Sequence, residues 1–132
     1  MVLLIYLRIG GRIGKLASIA TGKLGIKPII LLKNGELGLG GIGRSRAKLK
    51  KAVLDTVNKH FTDNNLSKDD YNFNVGWGYD KEEGAEFLKD AESTLGVKCL
   101  DELNVDIGMT TAVHTGPYPI GVGIIQKYET LK

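Results

Sequence analysis

The chain contains few of the residues that cross-link or stiffen a small protein, with one cysteine and three prolines among 132 residues. Cys99 alone can form no internal disulfide, and it cannot hold a zinc ion, because structural zinc sites need several cysteine or histidine ligands. The lack of disulfides is typical of a reducing compartment, so we expect a cytoplasmic protein. No apolar run approaches the roughly 20 residues that span a bilayer, so we expect no membrane span.

Charge is modest as well, and glycine is the one residue type in excess. The net charge of +3 is too small to indicate nucleic-acid binding by itself. A hydrophobic share of 42% and a charged share of 25% are ordinary for a globular protein. A chain of this length buries a core without cross-links, so we expect one domain over residues 1–132.

Hydrophobic spacing predicts an α+β fold, with a mixed, largely antiparallel sheet packed against helices. Asn34-Gly35 predicts a two-residue hairpin between strands at 26–32 and 36–42. Apolar residues at spacings of three and four predict helices at 15–24, from Ser45 to about Asp63, and from Asp80 to Gly96. Further strands are predicted at 72–78, 97–99, 105–109 and 122–128.

Residues 38–43 match the GxGxxG pattern of dinucleotide-binding loops and precede a helix. However, the strand before them is the second arm of a hairpin rather than the first strand of a parallel unit. No acidic residue ends a second parallel strand about 20 positions later. We therefore interpret these residues as a glycine-rich strand.

His114 stands where two apolar runs meet a turn. The run from Met109 to Val113 leads into it, and Gly116 and Pro117 end that strand. Regular structure on both sides would hold the imidazole firmly at the mouth of a sheet, which suits a functional group. The alternative is a structural histidine that bonds a carbonyl of the turn.

Residues 44–51 form the basic cluster of the chain, at a predicted strand-to-helix junction. A helix start can hold phosphate through its free N–H groups, and Arg44 and Arg46 could add two guanidinium groups. The cluster could also contact nucleic acid. However, no aromatic residues are interleaved with the basic ones for base stacking, which argues against a nucleic-acid partner. A solvated helix face is the remaining interpretation.

Motifs of catalysis are missing. The sequence contains no G-x-S-x-G elbow, no HExxH and no paired-carboxylate pattern, and Cys99 has no histidine near it in sequence to activate it. We therefore expect no nucleophilic role for Cys99 and no metal site.

Three strings stand in a specific order: Tyr6 to Ile13 (YLRIGGRI), Leu24 to Ile30 (LGIKPII) and His114 to Pro117 (HTGP). Together they resemble the DegV family of bacterial fatty-acid-binding proteins, and Arg44-Ser-Arg46 resembles the family's basic segment after the hairpin. The likeness covers nearly the whole chain but only the C-terminal part of a two-domain architecture. It implies a single domain like the family's C-terminal domain with the N-terminal domain absent, hence a fragment, a truncated gene product or a free-standing domain.

The resemblance implies a carrier rather than an enzyme, without a cofactor. Its ligand would be a long-chain fatty acid in a tunnel between two domains, and a separate fatty acid kinase would phosphorylate the carboxylate. His114 matches the family's histidine near that carboxylate, with Thr115 and Gly116 beside it. Arg12, Arg44 and Arg46 match basic positions that could face the phosphate, the entrance or the kinase. A domain that binds nothing unaided and forms homo-oligomers through its exposed interface stays open as an alternative.

Overall fold

Six strands, two α-helices and two short 3₁₀ helices make up the part of the chain that the computed structural model describes, which is residues 2–4, 27–33, 36–100, 105–106 and 119–131. The strands are β1 (Val2–Leu4), β2 (Lys27–Lys33), β3 (Glu36–Gly43), β4 (Tyr71–Trp77), β5 (Val105–Asp106) and β6 (Ile120–Gln126). The α-helices are α1 (Arg46–Asp63) and α2 (Lys81–Leu95), and the 3₁₀ helices are Lys68–Asp70 and Tyr128–Thr130.

The strands form one sheet in the order β3-β2-β1-β6-β4-β5. Neighbours are antiparallel except β4 and β5, which run parallel. The short strand β1 lies in the middle, where Leu3 is opposite Ile30 of β2 on one side and Gly121 of β6 on the other. The predicted α+β fold with a mixed, largely antiparallel sheet is confirmed.

The hairpin and the glycine-rich strand are also as predicted. Lys33 pairs with Glu36, which leaves two residues for the connection between β2 and β3. The GxGxxG stretch lies in β3 and pairs antiparallel with β2, so it is not a loop between a parallel strand and a helix. At its end, a Cβ on Gly43 would lie 3.0 Å from the Leu49 side chain, so glycine there lets α1 pack closely on the strand.

Both helices begin where the sequence predicts, and each has a side-chain cap at its start. The hydroxyl of Ser45 accepts a hydrogen bond from the Lys48 N–H, and the carboxylate of Asp80 accepts one from the Glu83 N–H at 3.0 Å. Gly96 ends α2 with a φ of +66°, a left-handed conformation that glycine adopts without steric cost.

The two helices bury one apolar face each against the same side of the sheet. The largest buried side chains include Phe73 of β4 and Phe87 of α2, each of which contributes about 1.5–3 kcal/mol by leaving water. The rest of this core is Ile29, Leu49, Val53, Leu54, Val57, Phe61, Val75, Ala91, Leu95, Cys99, Ile120 and Val122. The apolar residues that recur at spacings of three and four along α1 are therefore buried, as predicted: Leu49, Val53, Val57 and Phe61.

Two strand predictions were wrong in detail. Residues 97–99 form no strand; this stretch runs beside β4, and Leu100 donates one backbone hydrogen bond to the Phe73 carbonyl at 2.9 Å. A single backbone hydrogen bond is not enough to pair this stretch with β4 as a strand. The last strand is Ile120–Gln126, two residues earlier than predicted, because Tyr128 lies in a 3₁₀ helix with 86% of its surface exposed. The helix predicted at 15–24 and strand residues 107–109 lie outside the described residues.

An ion pair ties the first turn of α1 to the first turn of α2. Arg46 donates to both oxygens of Glu83, with Nε–Oε1 at 2.5 Å and Nη2–Oε2 at 2.8 Å, and Lys50 Nζ lies 3.2 Å from Oε1. The hydrogen bond from Arg46 is the main cause of a lowered Glu83 pKa; partial burial opposes it, and the charges of Arg46 and Lys50 add to it. The bidentate geometry and an exposed side-chain fraction of only 17% for Glu83 favour a real contribution to stability.

We expect Glu83→Gln to lower the free energy of unfolding at pH 7 by about 1–2 kcal/mol. The folded-state pKa lies below the ordinary value of 4.5, so the stabilisation is complete above that value and is lost as the pH falls through the folded-state pKa. The difference from the parent chain should therefore shrink as the pH is lowered below about 4.5. Urea unfolding followed by circular dichroism at several pH values measures it.

Glu82→Gln is the matched control, because Glu82 also lies in the first turn of α2 but is exposed. It removes the same interaction with the helix dipole without breaking the ion pair. Equal losses for the two variants at every pH would contradict a stabilising role for the Arg46–Glu83 pair.

Candidate functional site

Both helices begin at the same edge of the sheet. Strand β3 ends at Gly43, opposite Lys27 where β2 begins, and β4 ends at Trp77, opposite Ile120 where β6 begins. Strands β1 and β5 end at this edge too, because Leu4 also pairs with Ile120 and β5 runs parallel to β4. We call it the helix-start edge.

The predicted site segments are all attached to the helix-start edge. The stretch 107–118 follows β5 and precedes β6, and the stretch 5–26 follows β1 and precedes β2, so each leaves and rejoins the described sheet there. The predicted site residues on these stretches, which lie outside the described residues, are Arg12, His114, Thr115 and Gly116. The sheet topology thus brings together the attachment points of segments that are far apart in sequence.

Arg44 and Arg46 are the predicted site residues that the structure describes, and they differ. Arg44 is exposed in the connection between β3 and α1, directly before the capping Ser45. Arg46 is half-buried, and its guanidinium group holds Glu83 in the bidentate pair described above. A ligand that recruited Arg46 would have to compete with that carboxylate, so Arg46 as a ligand-binding residue stays a prediction.

The start of α1 is strongly basic. Residues 44–51 include five basic side chains, and the first turn of α1 contains no acidic one. The positive end of a helix dipole ordinarily favours acidic side chains, so this arrangement raises the positive potential at the helix-start edge. Glu83, brought over from α2, offsets it in part. The edge is therefore suited to an anionic group.

Trp77 lies at this edge and is not among the predicted site residues. Its indole does pack against the core, but its Nε1–H is buried and has no acceptor among the described residues. A sequence signal existed: Gly84 interrupts α2 one turn after its start, and a Cβ there would lie 2.6 Å from the indole. The glycine makes room for the tryptophan.

Other candidates fall away from this edge. His60 lies near the end of α1, where its backbone carbonyl accepts the Asn64 N–H at 3.2 Å and its ring Nδ1 lies 3.3 Å from Asn64 Nδ2. An open groove of 440 Å³ between Phe61 and Asp69 lies at the same far end. Within the described part of the chain, no group of histidine, cysteine and acidic residues could hold a metal ion, and neither helix could cross a membrane.

Comparison with known proteins identifies the fold and family. A family model described as "Uncharacterised protein, DegV family" matches residues 2–127. The chain is similar to the crystal structure of a fatty acid (stearic acid)-binding protein from Eubacterium ventriosum, with 58% sequence identity and a TM-score of 0.89, over 98% of this chain and 45% of that one.

Two more distant relatives are also DegV proteins by their descriptions. A fatty acid binding DegV family protein from Streptococcus agalactiae matches 96% of this chain and 44% of its own with a TM-score of 0.73, and at 21% identity it supports the fold alone. A curated DegV domain-containing protein from Deinococcus radiodurans is 26% identical over 119 residues, which is 90% of this chain and 40% of that protein. The chain thus spans less than half the length of these relatives.

The family model covers almost the entire chain, and its span contains all three strings that the sequence analysis singled out. The resemblance on which the sequence interpretation rests is confirmed. By this match, the chain belongs to the DegV family.

Proposed function

We propose that this chain is the lipid-binding part of a fatty-acid carrier, and that it is not an enzyme. The observation that carries the proposal is the 58% identity to a stearic-acid-binding protein over 98% of this chain. More than half of the aligned residues are therefore the same in the two proteins. The ligand would be a long-chain fatty acid, no cofactor would be needed, and the carrier would work in the cytoplasm.

The carboxylate of the fatty acid would lie at the helix-start edge, where the described structure is positively charged. His114, with Thr115 and Gly116 beside it, would bind the carboxylate, and Arg12 and Arg44 would add positive charge. A charge-assisted hydrogen bond contributes about 1.5–3 kcal/mol. Each buried methylene contributes up to about 0.8 kcal/mol, so the tail would set the affinity and the histidine the orientation.

The remaining functions of the carrier would involve other surfaces. Since the chain spans 45% of the stearic-acid-binding relative, the acyl tunnel would be shared with a second domain of the longer protein. The bound carboxylate would be presented to a partner kinase, with exposed Arg44 at the entrance. In the alternative, a domain that binds nothing unaided, the interface would be uncovered and the chain would form homo-oligomers through it.

Binding can be tested on the 132-residue chain with stearate by native mass spectrometry and isothermal titration calorimetry. We expect a one-to-one complex, and His114→Ala should raise the Kd about 10- to 150-fold, which corresponds to the loss of about 1.5–3 kcal/mol. The chain has two histidines, so His60→Ala at the far end of the sheet is the control and should leave the Kd unchanged. An unchanged Kd in His114→Ala would refute the role of His114, whereas no complex at all would refute lipid binding by this chain.

The basic start of α1 favours a second candidate, a phosphate- or nucleic-acid-binding module. The salt dependence of the binding affinity distinguishes the carrier from this second candidate. Stearate affinity should change little between 50 and 200 mM salt, since the tail dominates it, whereas binding to several phosphates falls steeply over that range. A short oligonucleotide that binds tightly at low salt, and is lost in Arg44→Ala together with Lys48→Ala, would support the second candidate and argue against the carrier.

A further inference from the structure

Trp77 occupies a defined place at the helix-start edge. It is the last residue of β4 and lies opposite Ile120, the first residue of β6. Directly beyond it, the Gly78 N–H donates to the Pro119 carbonyl at 2.9 Å, and Pro119 follows Gly116 by three residues. Trp77 thus lies where the segment with the predicted carboxylate-binding residues joins the sheet.

The indole ring is held between β4 and α2. The ring atoms nearest to a Cβ on Gly84 would be Cδ2 and Cγ at 2.6 Å and Cε3 at 2.9 Å. In the five-membered ring, the Cγ–Cδ2 bond lies across from Nε1, so the side of the indole packed closest to α2 is the one away from the N–H. The contact with α2 therefore holds the ring by the side that does not carry the N–H.

That N–H is a buried donor with no acceptor among the described residues. Leaving such a group unsatisfied costs about 1–3 kcal/mol, and most buried donors in proteins are paired. The acidic groups nearby in sequence are engaged: both Glu83 oxygens accept from Arg46, and Asp80 Oδ1 accepts from the Glu83 N–H. A phenylalanine, although smaller, would place an aromatic ring here without that cost, so an acceptor is needed to account for the N–H.

We propose that the Trp77 indole N–H donates a hydrogen bond to a carboxylate oxygen of the bound fatty acid. An indole is a donor only, so it suits an anionic oxygen. The basic residues and the two helix N-termini at this edge favour the same negative charge. Trp77 would orient the carboxylate from the β4 side. This inference rests on the carrier function proposed above.

Because Trp77 is the only tryptophan, the ¹⁵N-labelled chain gives a single indole N–H signal in a two-dimensional NMR spectrum. Stearate should move the backbone signals of the helix-start edge and shift the indole proton downfield. The second measurement is calorimetry: Trp77→Phe, which keeps an aromatic ring and removes the donor, should raise the Kd for stearate about tenfold. Tyr128→Phe is the control, because it removes the hydroxyl donor of a residue that is 86% exposed at the far end of the sheet.

The outcomes separate this inference from the carrier function. If backbone signals shift with stearate while the indole signal stays in place, the carboxylate is not the acceptor, and the Trp77 inference is overturned while lipid binding stands. If no signal responds to stearate, both are overturned. The NMR readout uses the unsubstituted chain, so it decides the question even if Trp77→Phe does not fold.

Discussion

The pairing of β1 on both of its sides is the constraint on which the rest of the sheet depends. Three residues, Val2–Leu4, join the hairpin of β2 and β3 to the group of β6, β4 and β5. Their register places Leu4 opposite both Ile29 and Ile120. The ends of the strands on the two sides are thereby aligned in one row, and both helices start from it. A shift by one residue would turn the buried faces of the two halves to opposite sides of the sheet.

Electrostatics at the aligned edge combine stability and binding. The basic start of α1 concentrates positive charge at a helix end that is already positive, which by itself disfavours folding. Glu83 reduces this repulsion locally because its carboxylate pairs with Arg46 and Lys50. The potential that remains is of the sign that a fatty-acid carboxylate requires. Charge that is unfavourable for the helix alone is thus suited to an anionic ligand at the edge.

The relatives and the geometry support the function at different levels. Structures at about 20% identity establish the architecture, whereas the 58% identity to a stearic-acid-binding protein supports the proposed fatty-acid ligand. The described residues supply a charged, aligned edge and a buried indole donor. In the proposed carrier, these would form one wall of the headgroup site, with the HTGP segment forming another.

The sequence by itself determined the local elements: the caps at Ser45 and Asp80, the stop at Gly96, the hairpin at residues 34–35 and the buried stripe of α1. Each depends on spacing or conformational preference within a few residues, so each can be read from a short window. The family also followed from three short strings. The tertiary structure decided that Arg46 binds Glu83, 37 positions away, that residues 97–99 lie beside β4 without forming a strand, and that the Trp77 N–H is buried without an acceptor among the described residues. These are contacts between distant segments, and only the register of the sheet and the packing of the helices determine which side chains meet.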